Sequence, residues 1–353
     1  KDTLELIKKD TGKEININSL TLNDPEVFRY ISKGDTAGVF QLEQSGMQQF
    51  MKNLQPTSLE DVIAGISMYR PGPMDQIPKF LENKKNPDKI QYYKDAAPFL
   101  SPILDVTYGV MIYQEQVMQI VRDLAGYTFG RSDLVRRAMA KKKENILLDE
   151  RYVFIYGEVV CPECNGTGKQ ANGDNCVLCE GKGKVATKKP CPYCKGKDKK
   201  CIHCNGSGVV ESKGERTVEG CVKRGISEQT AHKIFDEMID FAKYAFNKSH
   251  ATAHAILAYQ TAFLKNYYPR QYMTAYLNSI ISNQDKVRKY IGIVKKMGIN
   301  IIKPDINTCE SHFIEDEKGI YMGLSSLKFV GKNIQEVIQE RKSNGLFRDL
   351  QDL

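Results

Sequence analysis

VFIYGEVVCPECNGTG (153–168), CVLCEGKG (176–183), CPYCKGKD (191–198) and CIHCNGSGVV (201–210) make up the stretch from which the architecture is read. Four Cys-x-x-Cys pairs fall within the 44 residues from Cys161 to Cys204 and hold eight of the ten cysteines. Two residues between cysteines let both sulfurs of one tight turn reach one metal, and a second pair closes the tetrahedron. The glycines behind the pairs allow the positive φ such a turn needs. Eight thiolates make two closed four-cysteine sites, the pattern of structural zinc and not of a catalytic centre with an open position. A disulfide-rich loop is the alternative. No signal peptide points to an oxidising compartment, so thiolates on metal are expected. Val153–Val160 reads as a strand entering the cluster, and Val209 to Val218 as one leaving it. Together they predict a two-stranded stem with the metal module at its tip, where insertions are tolerated.

Outside this stretch the text is helical. Asp24-Pro25-Glu26 supplies a cap, a first-turn proline and an acid, and Thr57-Ser58-Leu59-Glu60 is a capping-box pattern. Arg70-Pro71-Gly72-Pro73 excludes a helix. Val110–Leu124 has helical periodicity. Ser132 or Asp133 is expected to cap a helix carrying Arg136, Arg137, Lys141, Lys142 and Lys143. Ser227 starts a long amphipathic helix; Asn247-Lys248-Ser249-His250 starts another, with Ser249 expected to cap and free N–H groups favouring an anion. Asp316–Gly319, between Phe313-Ile314 and Ile320-Tyr321-Met322, is a hairpin signal. The 353 residues carry 51 Lys/Arg against 43 Asp/Glu, a net +8 compatible with nucleic acid but not diagnostic of it. With 41% hydrophobic residues a core can be buried. No apolar run is long enough for a membrane span. The chain starts without Met, and a piece of something longer is expected.

The CxxCxGxG repeats resemble the cysteine-rich domain of DnaJ-type chaperones over about 50 residues. That resemblance implies nested pairing: Cys161, Cys164, Cys201 and Cys204 on one zinc, and Cys176, Cys179, Cys191 and Cys194 on the other. The third motif departs from it, ending Gly-Lys-Asp. No histidine begins the His-Pro-Asp of a J domain, so the module stands without its usual neighbour.

The rest resembles the fingers of the bacterial DNA polymerase III alpha subunit. GDTAGVFQLEQSGM (34–47), YRPGPM (69–74), YGVMIYQEQVMQI (108–120), LAGYTFGRSDLVRRAMAKKK (124–143), FAKYAFNKSHATAHAILAYQTAFLKNYYP (241–269) and PDIN (304–307) carry it in order. It implies a mainly α fold: helical fingers, a small β-hairpin zinc insertion and a short α+β C-terminal segment. The expected divisions are 1–156 and 217–290 (fingers), 157–216 (insertion) and 291–353. The function implied is binding of incoming dNTP and template-primer DNA within a nucleotidyltransferase. On charge alone the basic helix reads as a solvated face; the resemblance carries contact with the triphosphate to Arg136 and Arg137, and further to Lys141, Lys142 and Lys143. Lys248, Ser249 and His250 join as an anion site. Arg70 is either a site residue or a cation bracing its turn. Leu327–Lys332 resembles a helix-hairpin-helix turn with Phe329 in place of its first glycine. Two structural Zn2+ are expected, with Mg2+ only in the full polymerase, whose palm carboxylates are not found here. The fragment alone is therefore expected to be inactive. Expected partners are DNA, dNTP and, through the parent chain, a sliding clamp and an exonuclease subunit in the bacterial cytoplasm. The competing reading is a zinc-dependent protein- or DNA-binding module, since residues 161–216 hold 11 Lys/Arg against 6 Asp/Glu.

Overall fold

The computed structural model describes residues 1–353 except 142, 196, 243, 331, 332, 350, 352 and 353. The fold is mainly α. Helices α1 (Asp2–Thr11), α2 (Pro25–Ser32), α3 (Ser45–Leu54), α4 (Leu59–Met68), α5 (Ile77–Lys85), α6 (Ala97–Leu104), α7 (Gln114–Ala125), α8 (Phe129–Ala140) and α9 (Glu144–Tyr156) come first. The cysteine segment follows with strands β1 (Glu158–Val160), β2 (Lys184–Ala186), β3 (Lys188–Pro190), β4 (Val209–Glu211) and β5 (Arg216–Val218). Then come α10 (Glu228–Ala242), α11 (Lys248–Tyr267), α12 (Pro269–Ser279) and α13 (Gln284–Lys296). Strands β6 (Ile301–Ile302), β7 (Ile314–Asp316) and β8 (Gly319–Tyr321) and helix α14 (Ile334–Asn344) close the chain.

Contacts divide the chain into two compact units, residues 63–252 and residues 1–62 with 253–353. In the first, α6 to α10 share a core that includes Leu100, Val117, Ile120, Val135, Phe154, Ile234 and Phe235. The rings of Phe154 and Phe235 lie 5.4 Å apart between α9 and α10. In the second, Ile7, Met273, Leu277, Tyr290, Val294, Phe313 and Ile320 join α1, α12 and α13 to the small sheet β6-β8-β7. The predicted hairpin forms there, with Ile314 opposite Tyr321 and Asp316 opposite Gly319.

Asp24 caps α2 with Pro25 at its first position, and Ser227 caps α10 through the N–H of Thr230 at 3.2 Å. Ser58, one residue after the expected Thr57, caps α4 by accepting the N–H of Asp61. The expected helix from Val110 begins only at Gln114. Gln116 reaches back to accept the N–H groups of Ile112 and Tyr113 at 2.8 and 2.9 Å, which holds that approach extended.

The stem differs from expectation. Val153–Tyr156 belong to α9, because Val153, Phe154 and Ile155 bury into the helical core. The strand proper is β1, which pairs with both β2 and β5 in a sheet of order β2-β1-β5. Val209–Glu211 pair instead with Lys188–Pro190 as a separate hairpin. Gly157 makes the helix-to-strand corner at φ 88, and an added Cβ would meet the Glu219 carbonyl at 2.3 Å.

Candidate functional site

Helix α8 starts earlier than predicted. Thr128, not Ser132 or Asp133, caps it by accepting the N–H of Arg131 at 3.3 Å. Lys141 and Lys143 therefore lie past its end, both exposed, and Lys142 falls outside the described residues. Asp133 sits one turn ahead of the two arginines and holds both. Arg136 donates to one carboxylate oxygen through Nε and Nη2 at 2.9 and 2.8 Å, and Arg137 donates to the other at 2.7 Å. The hydrogen bond from Arg136, with the charge of both guanidiniums, keeps Asp133 below the usual carboxylate range despite desolvation. Arg136 is largely buried, with 21% of its side chain exposed, whereas Arg137 is 63% exposed.

Arg136 also donates to Gln114 Oε1 at 2.8 Å, which ties α8 to the start of α7. Gln114 in turn reads the segment before α11: its N–H donates to the Phe246 carbonyl at 2.9 Å and its amide to the Ala245 carbonyl at 3.1 Å. The next residue, Glu115, accepts the backbone N–H of Lys248 on both oxygens at 3.2 and 3.1 Å and the Asn247 amide at 3.1 Å. This corrects the expectation of free N–H groups at the α11 start, since the chain's own carboxylate already occupies part of the positive end of that helix. Asn247, not Ser249, is the cap, accepting the N–H of His250 at 2.9 Å. Ser249 and His250 are exposed.

Phe246 is the hub of the cluster. It forms a parallel bridge with Tyr113, and the His250 ring lies 5.6 Å from its own. The Arg70 guanidinium stands 4.4 Å over the Phe246 ring. Arg70 donates to the Ser67 carbonyl at 3.1 Å and to the Tyr244 carbonyl, so it braces the turn after α4 while remaining part of the cluster. The Lys248 ammonium lies 5.2 Å from the centre of the Tyr113 ring. Arg70, Arg136, Lys248 and His250, spread over 181 positions of sequence, thus gather about one two-segment bridge. Gln114, Glu115 and Asn247 are the residues of this cluster to which sequence reasoning gave no site role. Gln114 and Glu115 belong to the polar run Gln-Glu-Gln that opens α7, ahead of its apolar positions.

The eight cysteines form two groups of four, in which all sulfurs lie within 4.8 Å of one another. They are Cys161, Cys164, Cys176 and Cys179, then Cys191, Cys194, Cys201 and Cys204, so pairing is sequential and the nested arrangement is overturned. The backbone decides this. Cys161 N–H donates to Gly183 O at 2.9 Å and Cys176 N–H to Gly168 O at 2.9 Å, joining the first two turns back to back. A Cβ on Gly183 would meet the Gly166 carbonyl at 2.3 Å, and one on Gly168 the Gly181 carbonyl at 2.4 Å. Only glycine permits that approach. The short link between the third and fourth turns closes likewise, with Gly206 against the Lys199 carbonyl. A tetrahedron with ~2.3 Å metal–sulfur bonds has sulfur–sulfur edges of roughly 3.8 Å. The observed separations are 3.8 Å (Cys161–Cys176), 3.6 Å (Cys164–Cys179), 3.8 Å (Cys191–Cys201) and 3.6 Å (Cys194–Cys204). Backbone N–H groups of Gly168, Gly183 and Gly208 donate to the sulfurs of Cys164, Cys179 and Cys204 at 3.2 to 3.3 Å. The donor set and geometry fit a closed divalent site on each side.

The module is fastened to the basic helix by a partly buried ion network. Arg131 of α8 donates to Glu158 of β1 at 2.7 Å and to Glu150 of α9 at 3.1 and 3.3 Å. Thr217 of β5 adds a 2.6 Å bond to Glu158, and Tyr127 a 2.8 Å bond to Glu150. In the C-terminal segment Phe329 is 93% exposed with φ 70, so the position that favours glycine in the resembled turn does take a left-handed conformation. Gly331 and Lys332 of that turn lie outside the described residues.

Comparison with known proteins follows the same lines. Residues 1–159 match the bacterial DNA polymerase III alpha subunit finger domain, ending just before Cys161. Residues 298–353 match the helix-hairpin-helix motif. The DNA polymerase III subunit alpha of Buchnera aphidicola subsp. Schizaphis graminum is 37% identical over 347 residues, covering 97% of this chain and 24% of that protein. The subunit from Thermus aquaticus is 34% identical over 350 residues, covering 98% of this chain and 24% of its own length. The subunit from Staphylococcus aureus strain MRSA252 is 33% identical over 350 residues, covering 99% and 27%. The chain thus spans about a quarter of the length of these curated relatives. With the finger domain at its start and the helix-hairpin-helix motif at its end, the chain belongs to the bacterial DNA polymerase III alpha-subunit family as a segment of that protein.

Proposed function

We propose that this chain is the nucleotide- and template-binding fingers segment of a replicative DNA-directed DNA polymerase. The observation that carries it is the gathering of Arg70, Arg136, Lys248 and His250 about the Tyr113–Phe246 bridge. Arg136 and Arg137 receive the triphosphate of an incoming dNTP, because a planar guanidinium matches phosphate oxygens bidentately. Asp133 holds both guanidiniums until phosphate competes for them, and Glu115 does the same for the start of α11. Lys141, Lys142 and Lys143 extend the positive field, with Ser249 beside His250. Residues 1–156 and 217–290 form the fingers, 157–216 the insertion and 291–353 the segment that adds a helix-hairpin-helix contact to DNA. Each group of four cysteines holds one Zn2+, which supplies folding energy that a unit of this size lacks. Mg2+ chemistry, the clamp and the exonuclease subunit belong to the rest of the parent polymerase, in the cytoplasm.

The test uses the 353-residue chain, a labelled primer-template and a fluorescent dATP analogue. Binding of the nucleotide to the chain–DNA complex is expected to be weak and salt-sensitive. Arg136→Ala with Arg137→Ala should weaken it at least tenfold, while Arg136→Lys with Arg137→Lys recovers only part. Equal nucleotide binding by wild type and the double alanine variant would refute the role of these arginines. A second reading, that the insertion grips DNA or a partner protein, is favoured by its excess of lysines. Replacing 161–208 by a short turn separates the two: primer-template binding that survives assigns the insertion another task.

A further inference from the structure

The unit formed by residues 1–62 and 253–353 contains a cavity of about 790 Å3 that the preceding reading does not use. One wall is α13, which contributes Lys286, Lys289 and Lys296; Lys33 and the start of α3 also line it. Behind them Lys265 is 2% exposed. Its ammonium donates to the carbonyls of Asp35 and Ala37 at 3.0 and 2.6 Å. Burial draws the pKa of this lysine down to about 8, outweighing the opposing charge of Asp35.

Two carboxylates line the same cavity. Asp35 is exposed, and Glu43 accepts the hydroxyls of Tyr276 and Tyr290 at 3.1 and 3.0 Å. Lys33, Lys286, Lys289 and Lys296 have no carboxylate partner among the described residues. Four such ammonium groups repel one another and create a field that attracts a polyanion. Lys286 to Lys296 covers about 15 Å of helix rise, long enough to follow successive phosphates of a strand. Tyr30 and Tyr276, half-buried, line the cavity beside them, and tyrosine faces take stacked bases of any sequence.

We infer that this cavity binds single-stranded nucleic acid, with Lys33, Lys286, Lys289 and Lys296 on consecutive phosphates and Tyr30 and Tyr276 stacking bases. The site lies in the unit that does not contain Arg136 and Arg137, and its ligand is a strand and not the incoming nucleotide. It shares with the preceding reading only the premise that nucleic acid reaches this chain.

The test is fluorescence anisotropy of the 353-residue chain with a labelled oligothymidylate of about 12 nucleotides, across a salt series. Lys286→Gln, Lys289→Gln and Lys296→Gln are combined in one variant, and circular dichroism checks that the fold is kept. The dissociation constant is expected to rise at least tenfold. The salt slope should fall by about two, from three lost contacts at roughly 0.7 each. Unchanged affinity and slope would overturn the inference. Loss of dATP binding without loss of oligothymidylate binding would also overturn it, assigning a mononucleotide instead. A loss confined to Arg136→Ala with Arg137→Ala would move strand binding to α8 and overturn it as well, whereas failure of dATP to bind the unsubstituted chain bears only on the earlier reading.

Discussion

Glu115 and Asn247 show how one residue changes the meaning of a motif. The basic text at 248–250 reads as a waiting anion site, yet the α11 start is already bonded to a carboxylate. Nothing in the local sequence announces this, because Glu115 lies 133 positions away from Lys248. Arg131 is the other decisive residue. Its side chain is 22% exposed and faces Glu150 and Glu158, at 15% and 8%. Arg131→Met would leave two carboxylates largely buried without their cation and should cost about 3–5 kcal/mol in urea unfolding. Desolvation pushes the Glu158 carboxyl up, but bonds from Arg131 and Thr217 outweigh it and hold the group below the usual carboxylate range. Its folded pKa is thus depressed, so its stabilisation is present above the unfolded carboxylate range and fades as pH falls through the folded value. Glu158→Gln should flatten the acid limb of the stability–pH curve. An identical acid limb in both proteins would contradict this.

At the scale of elements, the cysteine turns were legible in sequence as to number, ligand type and closure. Their pairing was not, because spacing alone admits more than one closed tetrahedral pairing. Backbone bonds between the first and second turns, and glycines that let them touch, select the sequential solution. This gives a direct test. Residues 191–208 are excised and Pro190 is joined to Val209 by Asn-Gly, keeping the β3–β4 hairpin. The product should bind one zinc per chain by native mass spectrometry. A nested arrangement would instead lose ligands from both sites and bind none tightly. Helix α8 makes a related point. Its basic residues were evident, but its start depended on Thr128 and its anchoring on Gln114, which a charge pattern does not encode.

For the whole molecule, the expected outcome is that the 353-residue chain adds no nucleotide to a primer with Mg2+ and all four dNTPs present. Templated extension by the pure chain, followed on a sequencing gel, would show that catalytic carboxylates reside within it. Sequence alone determined the helical class, the family and two closed groups of cysteines. Caps, apolar periodicity and Cys-x-x-Cys spacing are local signals, and six ordered stretches leave little room for another family. Only the tertiary structure decided which cysteines share a metal, that Val153–Tyr156 is helix and not stem, and that Arg70, Arg136, Lys248 and His250 meet at one bridge. Those outcomes rest on backbone contacts and burial between segments far apart in the chain, where local preference is overruled by the packing that the whole fold makes available.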